Sequence, residues 1–125
     1  HDPRYINQIE TLLKKSYDLV ITQRESFPRF SEKIFSIYTN YFYRTPDLLS
    51  GMKGFSYKLA KKYGCYDTIN SIGTELAVYG IINRFRHTTI KIRIKNREDN
   101  SRLGGFLKGN LRILKALKNL YFLNR

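Results

Sequence analysis

A chain of 125 residues, 42% of them hydrophobic, is one domain's length and can bury a core, which excludes wholesale disorder. Its single cysteine, Cys65, excludes an internal disulfide framework and leaves too few thiols for a zinc ribbon or an iron–sulfur cluster, so neither metal nor cofactor is expected. Lys and Arg number 23 against 10 Asp and Glu, a formal net charge of +13, and self-repulsion on that scale points to a polyanionic partner.

Asp2 followed by Pro3 is a helix cap with its first-turn residue. Apolar side chains then recur at Tyr5, Ile6, Ile9, Leu12, Leu13, Tyr17 and Val20, a period that predicts an amphipathic helix over 3–22. A second helix is expected to start near Pro28 with Ser26 as its cap and a stripe of Phe30, Ile34, Ile37, Tyr38, Tyr41 and Phe42. Aromatics at helical spacing read as core here, because this half lacks the interleaved cations of a base-stacking face. The two segments form an expected N-terminal helical pair. Thr45-Pro46 opens a further short turn of helix, and Gly51 and Gly54 loosen the chain after it.

Residues 55–63 read as a helix stopped by Gly64, with Leu59 and Ala60 inward and Lys58, Lys61 and Lys62 outward. Another helix is expected at about 67–79, carrying Ile69, Ile72, Leu76 and Val78, interrupted by Gly73 and closed by Gly80. The clearest strand is 88–95: Ile90, Ile92 and Ile94 alternate with Lys91, Arg93 and Lys95. Ile81 and Ile82 are expected to begin its antiparallel partner, running toward Phe85. After a polar turn at 96–101 and the Gly104-Gly105 break, an amphipathic helix is predicted over 106–123. The fold class is therefore α+β, mostly helical, in one domain spanning 1–125.

The charge is unevenly spread along that domain. Residues 1–50 hold 7 Lys and Arg against 6 Asp and Glu, whereas residues 51–125 hold 16 against 4. A near-neutral helical part is thus joined to a basic part in the region of Gly51 and Gly54. The cationic face of the 88–95 strand would space its charges about 6.8 Å apart, near the separation of successive phosphates. Arg84 and Arg86 precede that strand, and Arg97 and Arg102 follow it in turns. Together with Lys58, Lys61, Lys62, Lys91, Arg93, Lys95 and Lys108 they are the candidate nucleic-acid-binding residues. The arginines add forked phosphate contacts that lysine cannot make.

Catalysis finds little support in the same residues. Histidine occurs only at His1 and His87, and the basic part holds only Asp67, Glu75, Glu98 and Asp99 as acids. A divalent-metal nuclease using Asp67 and Glu75 would lack an evident third ligand, and no Gly-rich phosphate loop is present. No run approaches the ~20 apolar residues of a membrane span. The chain begins at His1, which implies a processed chain or a fragment. Its richness in Ile, Asn, Lys, Tyr and Phe fits an AT-rich genome, that of an organelle, a parasite or a virus, and the lone cysteine suggests a reducing intracellular compartment, with the mitochondrion among the organelles expected.

The sequence Leu59-Ala60-x-x-x-Gly64, then Ile69, then Leu76-x-x-x-Gly80-Ile81-Ile82 and a basic strand, resembles a winged helix-turn-helix. That resemblance implies a second helix in the major groove and strands forming a wing. The would-be reading helix departs from the pattern, offering Asp67, Thr68, Asn70, Ser71, Thr74 and Glu75 but no Lys or Arg. Residues 72–95 are also similar, more faintly, to the N-terminal half of the eighth small-subunit ribosomal protein family, whose later serine-rich RNA-contacting loop has no counterpart here. The expected function is a non-catalytic, structural RNA-binding component of a ribonucleoprotein such as an organellar ribosome. The alternative is a winged-helix DNA-binding protein. Neighbouring proteins of a large complex, or a second copy meeting it through the last helix, are the further partners expected.

Overall fold

The computed structural model describes residues 2–27, 30–64 and 73–93 and, beyond them, Lys108, Leu111, Leu114, Lys115, Lys118 and Asn119. Its elements in chain order are α1 (Pro3–Lys14), β1 (Leu19–Arg24), α2 (Phe30–Tyr43), β2 (Lys53–Phe55), α3 (Tyr57–Tyr63), α4 (Thr74–Ile82) and β3 (His87–Ile92). The class is α+β, as expected, but several elements differ from the expectation.

Helix α1 starts as its sequence dictates. The Asp2 carboxylate accepts the Arg4 backbone N–H at 2.9 Å, and Pro3 takes the first helical position. The helix ends at Lys14 rather than at 22. Ser16, at φ 73°, occupies the left-handed region and breaks the helical run. Tyr17 and Val20 do continue the helical spacing, yet Leu19, Val20, Ile21 and Thr22 are all buried in succession. Four consecutive buried residues suit a strand covered on both faces, and a surface helix cannot bury them all.

That strand is the centre of a three-stranded mixed sheet of order β2-β1-β3. Strand β2 runs antiparallel to it, with Leu19 opposite Phe55 and Ile21 opposite Lys53. Strand β3 runs parallel to it, from Leu19 opposite His87 to Arg24 opposite Ile92. The expected antiparallel wing is corrected on both strands. Ile81 and Ile82 form the last turn of α4, and β3 pairs with β1. The turn between them explains why: Asn83 N–H donates to Tyr79 O and Phe85 N–H to Gly80 O, so the helix end uses the groups a hairpin would need.

The segment read as a loosened joint is strand β2, and its glycine has a packing reason. Ile9 Cγ2 occupies the space a Gly54 side chain would need, and Leu13 Cδ1 lies 3.3 Å from it. Val20, opposite Gly54, therefore faces α1, while alternation sends Leu19 and Ile21 to the other side. There they join Phe35, Tyr43, Leu48, Leu59, Leu76, Ala77, Val78 and Phe85 in the main core. The expected N-terminal helical pair is accordingly separated by β1.

Helix α4 begins after Gly73, whose φ of 70° marks the helix start rather than an interior flaw, and runs through Gly80 to Ile82. A Cβ on Gly80 would meet Leu59 Cδ2 at 3.1 Å, so the absent side chain lets α4 lie close to α3. Helix α2 presents a different face to the core from the one its spacing suggests. Ser31, Glu32, Phe35, Thr39 and Tyr43 are buried, whereas Phe30, Ile34, Ile37, Tyr41 and Phe42 are exposed. Residues 65–72, which hold the expected turn after Gly64 and the first part of the helix expected at about 67–79, and most of 106–123 lie outside the described residues. The six residues described in the latter segment are helical, with Leu111 and Leu114 exposed.

Candidate functional site

Three chain segments are fastened together at Asp18, just before β1. Its backbone N–H donates to Arg86 O at 2.7 Å, and its carbonyl accepts the Ser56 N–H at 2.8 Å. Its carboxylate accepts the Ser56 hydroxyl at 2.9 Å. Ser56 also caps α3, accepting the Leu59 N–H at 3.2 Å. Two residues thus bind the start of β1, the start of α3 and the approach to β3 into one end of the sheet. The bonds also bring Tyr17, Tyr57 and Arg86 to that end, each adjacent to or part of the fastening.

Cations and rings interleave around it. The Arg86 guanidinium lies 4.4 Å from the centre of the Tyr17 ring. Lys58 Nζ and Lys62 Nζ lie 5.8 and 5.7 Å from the centre of the Phe85 ring, approaching it from one face of α3. Lys61 Nζ lies 5.9 Å from the ring of Tyr57, one turn earlier on the same helix. Such contacts contribute about 0.5–1 kcal/mol each at exposed sites, enough to orient the side chains without neutralising them. Phe85 is itself in the core and backed by Tyr79, whose ring stacks against Tyr63 at 4.5 Å. Arg84, at φ 58°, projects from the intervening turn and is exposed.

Most of the described acids are placed elsewhere, the exception being Asp18 at the fastening itself, whose carboxylate is bonded to the Ser56 hydroxyl. Among the described residues, Asp2 pairs with Arg4, Glu10 with Lys14, and both Glu32 and Asp47 with Arg24. Lys58, Lys61, Lys62, Arg84, Arg86 and Lys91 are all exposed, and no ion pair to any of them is found among the described residues. Four of the six acids of the first fifty residues are therefore paired within that part, and a fifth, Glu25, reaches Arg93.

The most buried ion pair among the described residues lies in that first part. Arg24 holds Asp47 in a forked contact, Nε to Oδ2 and Nη2 to Oδ1, both at 2.9 Å, and its backbone N–H donates to Oδ2 at the same distance. Glu32 adds a second carboxylate at 3.5 Å. Burial pulls the guanidinium pKa down, but the hydrogen bonds and charge of Asp47, with Glu32 adding to them, outweigh it and the net shift is upward.

The candidate residues from the sequence separate into three sets. Lys58, Lys61, Lys62, Arg84 and Arg86 gather at the Asp18 end. Lys91 is exposed within β3, and Arg93 follows that strand about 23 Å from Arg86 at strand rise. The inward side of the expected alternation is present, with Ile92 buried and Ile90 half-buried. Of the outward charges, Lys91 is exposed, Lys95 lies outside the described residues, and Arg93 Nε pairs with Glu25 at 3.2 Å. Both partners are exposed, so the pair is weak. Lys95, Arg97 and Arg102 lie outside the described residues, and Lys108 is helical and exposed.

Sequence reasoning missed Asp18, Tyr17, Tyr57 and Phe85. Tyr57 and Lys61 were within reach, since four residues apart on a correctly read helix they must share a face. The convergence on Asp18 was not, because it depends on β1 being a strand. Glu75, considered above as a metal ligand, is buried and accepts a hydrogen bond from the Tyr63 hydroxyl. Among the described residues no cluster of three His, Cys, Asp or Glu could hold a metal, and no helix is long and apolar enough to cross a membrane. Comparison of the chain with protein-family models, with curated proteins and with solved structures gives no match.

Proposed function

We propose that this chain is a non-catalytic RNA-binding protein that grips the phosphate backbone, acting as a structural component of a ribonucleoprotein such as an organellar ribosome. One observation carries the reading: five exposed cations, Lys58, Lys61, Lys62, Arg84 and Arg86, share one end of the sheet without a carboxylate partner among the described residues. Folding does not favour such a gathering, and a polyanion neutralises it. The cations lie on a short helix and on turns, an arrangement suited to backbone contact rather than base reading in a groove.

The winged-helix alternative loses support from the elements themselves. Helix α4, which would end the reading helix, carries no Lys or Arg, and β3 has no antiparallel neighbour among the described residues. A titration separates the two readings. Affinity for a structured RNA and for duplex DNA of equal length is measured across several salt concentrations. The expected result is tighter RNA binding, with log K falling against log salt at a slope of about −3.5 to −4.5 if five phosphates are neutralised. Tighter, sequence-dependent binding to duplex DNA would replace this proposal with the alternative.

A further inference from the structure

The cations at the Asp18 end are accompanied by two flat, accessible surfaces that backbone binding does not require. Tyr57 is 79% exposed although it opens a helix whose Leu59 is fully buried and whose Tyr63 packs on the core. Lys61 lies toward one face of its ring, 5.9 Å from the centre. Arg86 is exposed, and its guanidinium carbon lies over the half-buried Tyr17 ring, 4.4 Å from the ring centre. Tyr57 is not left outward for want of a core, because Phe55 before it and Tyr63 after it both pack inward, and Tyr17 is half-buried beneath Arg86.

An unpaired base presents a π-face to aromatic rings and to guanidinium planes alike, and its own phosphate follows within reach of a neighbouring cation. A base pair inside a duplex presents no such face. We infer that Tyr57 and the Arg86–Tyr17 pair are platforms for unpaired bases of single-stranded RNA, with Lys58, Lys61 and Lys62 taking the adjoining phosphates. The Asp18–Ser56 hydrogen bonds position both platforms, since they join the residue after Tyr17, the residue before Tyr57 and the backbone of Arg86. The inference rests on the nucleic-acid reading above and adds to it the form of the nucleic acid. It also gives Tyr57 a part in binding that charge alone does not.

The test uses three probes with the full chain: a single-stranded RNA of about twelve nucleotides, an abasic ribose-phosphate strand of equal length, and an RNA duplex of equal length. The wild-type chain is expected to bind the base-bearing strand most tightly. Tyr57→Ala should weaken that binding by about 5- to 100-fold and leave the abasic strand unaffected. Tyr57→Phe, which keeps the ring, should retain it. Lys62→Gln should weaken both strands alike, because phosphate is common to them. Thermal unfolding of Tyr57→Ala should match the wild type, as the ring is outside the core. Equal wild-type affinity for the base-bearing and abasic strands, or an equal effect of Tyr57→Ala on both, would overturn the stacking inference and leave backbone binding intact. Preference for the duplex would overturn it too. Failure of the wild type to bind any of the three at low salt would defeat the nucleic-acid reading itself, and the inference with it.

Discussion

Asp47 has almost no contact with solvent, and its charge is tolerated because Arg24 meets it with two side-chain donors and one backbone donor. The pair joins the end of β1 to the segment after α2, where Glu32 also reaches the same guanidinium. Removing one member of such a pair leaves an uncompensated carboxylate in a poorly solvated place. Arg24→Met is therefore expected to destabilise the fold by about 3–5 kcal/mol, measured by urea denaturation. A loss under about 1 kcal/mol would mean the carboxylates are better hydrated than their burial implies. Nearby, Thr22 shows how a polar residue is accommodated in the central strand: its hydroxyl donates to Met52 O at 2.6 Å and is also bonded to the Ser50 hydroxyl. Neither arrangement was legible from sequence, since both depend on partners more than twenty residues away.

At the scale of elements, α2 separates what spacing can and cannot decide. Its apolar residues Phe30, Ile34, Ile37 and Tyr41 recur every three or four positions, which correctly predicts a helix. The same spacing names the wrong buried face, because Phe35, Thr39 and Tyr43 form an equally regular stripe turned toward the core. A helix apolar on more than one side leaves its orientation to tertiary packing, here to α4 and the segment around Leu48. The two faces predict opposite outcomes. Phe35→Ala should cost about 3–5 kcal/mol of stability through the cavity it leaves. Ile37→Ser, on the exposed face, should change stability by no more than about 0.5 kcal/mol. Comparable losses at both positions in thermal unfolding would show that the exposed stripe is covered.

Other elements were readable in proportion to how local their causes are. The start of α1 follows from Asp2 and Pro3, and the end of α3 from Gly64, each a contact within a few residues, whereas the start of α3 expected at 55 falls in β2 and the Ser56 cap was not read. The inward alternation of Ile90 and Ile92 likewise follows from neighbouring residues. Strand β1 was hidden because Tyr17 and Val20 extended the stripe of α1, and only burial on both faces distinguishes Leu19–Thr22 from a helical turn. Once β1 is lost, so are its pairings, and with them the parallel placement of β3. The candidate cations fared better in type than in arrangement. Lys58, Lys61 and Lys62 were outward on α3, but their grouping with Arg86 rather than Arg93 depends on the sheet.

For the molecule as a whole, the sequence asymmetry in charge becomes an asymmetry of pairing. Acids of the first fifty residues are bonded mainly to cations of that same part, and the cations around Asp18 remain exposed and uncompensated among the described residues. Five cations at one end of a small sheet raise the local potential, which polyanions sense strongly at low ionic strength and weakly when salt screens it. The most direct test is the salt dependence of RNA affinity for the wild type and for the combined Lys58→Glu, Lys62→Glu and Arg86→Glu variant, with circular dichroism checking that the fold persists. The account predicts that a folded variant loses at least about 100-fold in affinity at low salt and that its log–log salt slope becomes shallower by about 2. A folded variant with unchanged affinity and slope would contradict it.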